Sequence, residues 1–151
     1  MKKSVKLPFI EILSCLSLIE RSVPNIDKFS LYVPSVDFNP YDVISIQNEA
    51  KRMMEFIGLK SYTTIVTFCS TKQGTAGNIN LNNSKEVFID IDKSMQANRR
   101  KFKEAVLCVM AHEICHKYLY SHGLHLEDTN VNEYCTDLAT FFVGFGLLTI
   151  N

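Results

Sequence analysis

The sequence predicts an α+β fold in one domain spanning residues 1–151, with a small, mostly antiparallel three-stranded sheet packed on two long helices. Three observations predict it. Apolar residues recur at helical spacing in segments on either side of a central stretch. That stretch is rich in β-branched and aromatic residues, which suit strands. The length of 151 residues suits one domain with one core, and helix, strands, then helices is the order of a small α+β domain.

The elements follow in order. MKKSVK and then LPFIEILSCLSLI imitate an export signal, and Ile12-Leu13-Ser14-Cys15 imitates a lipoprotein cleavage site. Pro8 opens the apolar run, however, and Glu11 interrupts it. The expectation is therefore an amphipathic helix inside the folded domain. Pro24, Pro34 and Pro40, with Asn25, Asp27, Asp37 and Asn39, predict an irregular extended connection over 21–40. Asn39 then reads as an N-cap with Pro40 at the first helical position. Val43, Ile46, Ala50, Met53, Met54 and Ile57 keep helical spacing, and Gly58 ends the helix.

YTTIVTFC, 62–69, reads as a strand. TAGNINL, 75–81, is a weaker one, and VFIDI, 87–91, a third. Asn82, Asn83, Ser84 and Lys85 between the last two predict a hairpin. A long helix is expected over about 98–120, a loop with Gly123 over 121–130, and a last helix over about 131–148. There are no repeats and no low-complexity segments.

Sixteen basic residues balance sixteen acidic ones, so no overall charge argues for nucleic acid or a membrane surface. The basic run Arg99, Arg100, Lys101 and Lys103 reads as a solvated helix start. No stretch reaches the roughly 18 apolar residues that span a bilayer. The five cysteines (Cys15, Cys69, Cys108, Cys115, Cys135) are odd in number and scattered. That is the usage of reduced, buried thiols and predicts a cytoplasmic protein.

The chemistry is concentrated in MAHEICHKYL, 110–119. His112, Glu113 and His116 interrupt a run that is otherwise apolar, and buried ionisable groups must be paired or metal-bound. The pattern is HExxH. At i and i+4 on a helix, both imidazoles point at one ion. Glu113 lies about 100° round from His112, given 3.6 residues per turn, so it sits beside that ion and can accept a proton from water. Leu107, Met110, Ile114 and Tyr118, on the opposite face, are candidates for the core.

A metal needs a third protein ligand, and three candidates stand open. Glu133, with Asp137 on the same helical face, lies in NEYCTD. His122 completes the spacing HExxHxxGxxH, but Leu119 occupies the glycine position and no methionine follows Met110. Cys69 lies 43 residues before His112, a distance similar to that in peptide deformylases, whose glycine-rich motif is not seen here.

HExxH followed by NExxTD resembles the gluzincins, the thermolysin-like branch of the zinc metalloproteases. The resemblance implies a minimal zincin-like domain binding one Zn2+ through His112, His116 and Glu133, with Asp137 orienting a ligand histidine. It implies that Glu113 is the general base of peptide hydrolysis and that the substrate is a peptide or protein. TAGNINL and VFIDI occupy the place of the gluzincin edge strand and its neighbour, so Ala76, Gly77 and Asn78 are expected to bind substrate. Size and element order over 41–148 are similar to the small ImmA/IrrE-type intracellular peptidases. Two departures stand out: His116 and Glu133 are 17 residues apart, shorter than in thermolysin-like enzymes, and the chain ends 14 residues after Asp137, before any subdomain that would supply an oxyanion donor. Tyr118, Tyr134, His122 and His125 are the candidates for that role. The alternative function is a non-catalytic zinc-binding domain that binds a partner protein.

Overall fold

The computed structural model describes residues 9–23, 30–72 and 74–150. The start of the export-like segment and Pro24, Asn25 and Asp27 of the predicted connection lie outside the described residues. The rest resolves into five α-helices and one three-stranded sheet: α1 (Phe9–Ser22), α2 (Val43–Phe56), β1 (Thr63–Cys69), β2 (Gly77–Ile79), β3 (Glu86–Asp92), α3 (Phe102–Ser121), α4 (Thr129–Phe142) and α5 (Gly146–Thr149).

The amphipathic first helix is present. α1 buries Cys15 and Ile19, one turn apart, and packs against α4. The second helix starts later than expected. Asn39 instead closes a turn, its side chain accepting from the Tyr41 N–H at 3.0 Å, and Pro40 lies within that turn. Asp42 is the N-cap, accepting from Ile44 N and Ser45 N at 3.1 and 3.3 Å. A carboxylate also complements the positive helix start, which favours Asp42 over Asn39.

The sheet order is β1-β3-β2. β2 and β3 form the expected hairpin, antiparallel from Gly77↔Ile91 to Ile79↔Ile89. The longer pairing is parallel, β1 with β3, over seven residues from Thr63↔Glu86 to Cys69↔Asp92. The sheet is thus mixed, not mostly antiparallel. The reason lies in β3: Val87, Ile89 and Ile91 alternate inward and are fully buried, so this strand takes the centre and offers both edges. The short Gly-Asn-Ile segment stays at one edge, and β1 fills the other.

The two edges differ. Gln47 of α2 donates from Nε2 to Val66 O at 2.8 Å and accepts from Val66 N at 2.9 Å, sealing the outer edge of β1 as a neighbouring strand would. Among the described residues no strand pairs with the outer edge of β2.

An unpredicted 3-10 turn (Lys93–Ala97) follows β3, capped by Asp92 accepting from Ser94 N at 2.8 Å. α3 therefore begins at Phe102, and the Arg99–Lys101 run lies exposed before it. α3 crosses the middle of the fold and is buried on nearly every side. Leu107, Met110, Ile114 and Tyr118 join the core as expected, but so does Lys117. Its Nζ donates to Asn82 O at 2.7 Å and lies 5.0 and 5.7 Å from the Tyr62 and Tyr120 ring centres, tying α3 to the β2–β3 turn.

Three helices end in the same way. Gly58, Gly123 and Gly144 each adopt positive φ just past α2, α3 and α4, and the following N–H reaches back to the helix: Leu59 N to Met54 O, Leu124 N to Leu119 O, Phe145 N to Thr140 O, at 2.7–2.9 Å. The third of these breaks the last predicted helix, so α4 stops at Phe142 and α5 is a separate turn. At Gly144 the backbone also touches Ser30 O and the Phe56 ring, where a Cβ would collide, and its carbonyl accepts from Tyr32 N at 2.9 Å. Gly58 has open space instead.

Gly144→Ala combines the positive φ with a backbone clash and is expected to cost more than about 2 kcal/mol. Gly58→Ala carries only the conformational cost, about 1 kcal/mol. Urea midpoints of the two variants, at unchanged denaturant slope, check the difference.

Candidate metal centre

The site is assembled where α3 and α4 run side by side. α3 brings His112 and His116 onto one face at helical spacing. Asp128 caps α4 by accepting from Asn130 N and Val131 N at 2.9 and 3.1 Å, so α4 starts at Thr129, two residues before the expected position. Asn132 accepts from Leu126 N at 3.0 Å and holds the connecting loop against the helix. With α4 so fixed, Glu133 and Asp137, at i and i+4, face α3.

The resulting distances are short. His112 Nε2 lies 3.1 Å from Glu133 Oε2 and 3.0 Å from His116 Nε2. His116 Nε2 lies 3.2 Å from Glu133 Oε1. Ligand atoms of His112, His116 and Glu133 all fall within 4.8 Å of one another, and this is the one such His/Cys/Asp/Glu group among the described residues. On the far side of each ring, His112 Nδ1 lies 3.0 Å from Asp137 Oδ1, and His116 Nδ1 lies 3.0 Å from Thr136 Oγ1. Glu133 is thus the third-ligand candidate that joins the two histidines. His122 instead turns its Nδ1 to Tyr118 O at 2.8 Å, and Cys69 sits at the end of β1, outside the cleft.

Burial pulls the His112 pKa down, but hydrogen bonds to Asp137 and Glu133 and the nearby Glu113 charge overcome this and raise it to about 10. Hydrogen bonds from His112 and His116 hold Glu133 well below the usual carboxylate range despite partial burial. Two imidazoles and a carboxylate converging on one point suit a divalent ion with mixed nitrogen and oxygen ligands. The donor set is compatible with one metal ion.

Glu113 does not join this group. It is 7% exposed, and burial raises its pKa, opposed by the two histidines. It faces β2: a Cβ on Gly77 would lie 2.9 Å from Glu113 Oε1 and 2.5 Å from Val109 Cγ1. Glycine at 77 is what lets the sheet edge approach this side of α3. Ala76, Gly77 and Asn78 line one wall of a cleft of about 930 Å³, whose floor holds His112, Glu113 and His116 and whose other wall holds Glu133 and Asp137. Of the four oxyanion candidates, His125 lines this cleft. Tyr118 is buried, with its hydroxyl unpaired, and neither Tyr134 nor His122 lines the cleft.

Thr136 is absent from the residues expected from sequence. The available signal was a hydroxyl three residues after Glu133 in a largely apolar helix. No protein-family model, no curated protein and no solved structure matches this chain.

A divalent ion bound here, at 100 times its dissociation constant, is expected to stabilise the protein by about 2.7 kcal/mol, as any ligand specific to the folded state does. Glu133→Ala is expected to abolish most of that gain. Thermal unfolding with and without zinc, on chelator-treated protein, measures both.

Proposed function

We propose that this chain is a zinc-dependent peptidase of the gluzincin kind, similar to the small ImmA/IrrE-type enzymes. The observation that carries the reading is the placement of Glu113: a buried carboxylate beside the His112/His116/Glu133 group, on the same cleft floor and facing a sheet edge that has no partner strand among the described residues.

His112, His116 and Glu133 would hold the ion. When bound, a zinc ion supplies Lewis acidity, lowering the pKa of water to about 7 and polarising a carbonyl. Glu113 accepts the proton of the attacking water at its cleft-facing carboxylate and returns it to the leaving amine. Burial serves this role by raising the Glu113 pKa toward the range where a carboxylate both takes and gives a proton. The outer edge of β2 offers backbone N–H and C=O groups to an extended peptide, which binds by strand addition. Gln47 denies the same mode to β1. His125, which lines the cleft, is our candidate to donate toward a developing oxyanion. The five free cysteines support a reducing, cytoplasmic setting.

Glu113→Gln is expected to keep one zinc per chain and to lose at least about a hundredfold in peptide hydrolysis. Elemental analysis and a quenched-peptide library, run on wild type and variant, test both halves. Equal hydrolysis by the variant would remove Glu113 from the mechanism. Zinc without hydrolysis in the wild type, with no chelation of a peptide hydroxamate, would instead favour a closed zinc module that binds a partner protein.

A further inference from the structure

We propose that the outward face of α1, together with the lysines that precede it in the sequence, docks this protein reversibly on an anionic lipid surface. Neither a bound metal nor hydrolysis enters into this.

α1 has two apolar sides. Cys15 and Ile19 are buried, and α4 is the element the helix packs on. The other side is apolar as well, but open. Phe9 is 73% exposed, Ile10 69% and Leu13 45%, and Leu16 is exposed too. At about 100° per residue these four fall within an arc of about 120°, roughly opposite Cys15 and Ile19. Glu11 lies outside that arc, and the surface becomes charged only at Glu20 and Arg21, in the last two turns of the helix. Apolar side chains scattered singly over a surface are ordinary. A contiguous group of four marks an interaction site.

Charge selects the occupant. The balanced total hides a local excess: residues 1–10 include Lys2, Lys3 and Lys6 and no acidic residue. Chain connectivity alone keeps the Lys6 Cα within about 11 Å of the Phe9 Cα, and the Lys2 Cα within about 27 Å. The cationic groups are therefore tethered to the end of α1 where the apolar face is most open. Interfacial helices bind through buried apolar area plus the attraction of cationic side chains to anionic lipid, and this end of the molecule offers both. A convex helix face fits a fluid surface without a shaped partner. A second copy of the chain carries the same lysines and offers them no complement.

Co-sedimentation of the full, untagged chain with vesicles tests this. One set is phosphatidylcholine alone, and the other is roughly one part phosphatidylglycerol to two parts phosphatidylcholine. Wild type is expected to partition onto the anionic set about tenfold or more better than onto the neutral set, and to be released as salt is raised. Replacing Lys2, Lys3 and Lys6 with Gln is expected to weaken partitioning about fivefold per lysine. The double variant Phe9→Ser, Ile10→Ser is expected to lose about tenfold or more, with an unchanged urea midpoint because both side chains are already exposed. Val36→Ser removes an apolar side chain that is 92% exposed elsewhere on the surface and is expected to bind as wild type does. Wild type left in the supernatant at low salt overturns the proposal, as does equal binding to the two vesicle sets. An equal loss in Val36→Ser would mean unspecific adhesion and overturns it too. A lowered urea midpoint in the double variant would show that the chain itself covers this face. A dimer in sedimentation velocity that the double variant splits, without vesicle binding, would assign the face to a second copy. Either of those results also overturns the proposal.

Discussion

Everything in this fold answers to one constraint: two imidazoles and a carboxylate sit on a helix that is buried on nearly all sides. Polar groups taken out of water must be satisfied internally, at a cost of several kcal/mol each if they are not. α3 cannot satisfy them alone, because its own backbone groups are already paired within the helix. α4 supplies the imidazoles' partners from a single face, with Glu133 between the rings and Asp137 and Thr136 behind them, while Glu113 faces β2. The turn at Gly123 and the Asp128 cap are what bring α4 back at the right height.

The sheet answers a related demand. β3 supplies buried alternating side chains beneath α3 and carries a strand on each edge. Closing one edge with Gln47 leaves the other beside Glu113, and Gly77 allows the approach. Local choices that look unrelated in sequence, an amide on α2 and a glycine in β2, thus decide on which side of the molecule the cleft opens.

Not every buried charge here belongs to the site. Glu49 is buried, yet it accepts from Tyr32 Oη at 2.7 Å and Ser35 N at 3.1 Å, and pairs with Arg52 at 2.9 Å. Burial and the Glu49 carboxylate push the Tyr32 phenol well above its usual range. This cluster docks the extended segment onto α2, and Tyr32 packs edge-on against Phe56 and Phe145 beside the Gly144 turn. Lys117 does the equivalent for the β2–β3 turn, and burial lowers its pKa. Both are paired with groups outside the cleft. The charges of the α3–α4 site differ in converging on one another.

By itself the sequence determined the elements and the chemistry of α3. Helical spacing, β-branched runs and terminal glycines report local energetics, and HExxH is a local pattern whose geometry follows from 3.6 residues per turn. Glu133 and Asp137 were legible for the same reason, as an i, i+4 pair in NExxTD. Only the tertiary structure decided what depends on residues far apart in the chain. It chose Glu133 over His122 and Cys69 by bringing α4 against α3. It made β3 central and its longer pairing parallel, a competition among strands that no one strand encodes. It broke the last helix at Gly144, where backbone from residue 30 leaves no room for a side chain. It also gave Thr136 its histidine, because a hydroxyl's partner is set by which helix packs beside it and not by its neighbours in sequence.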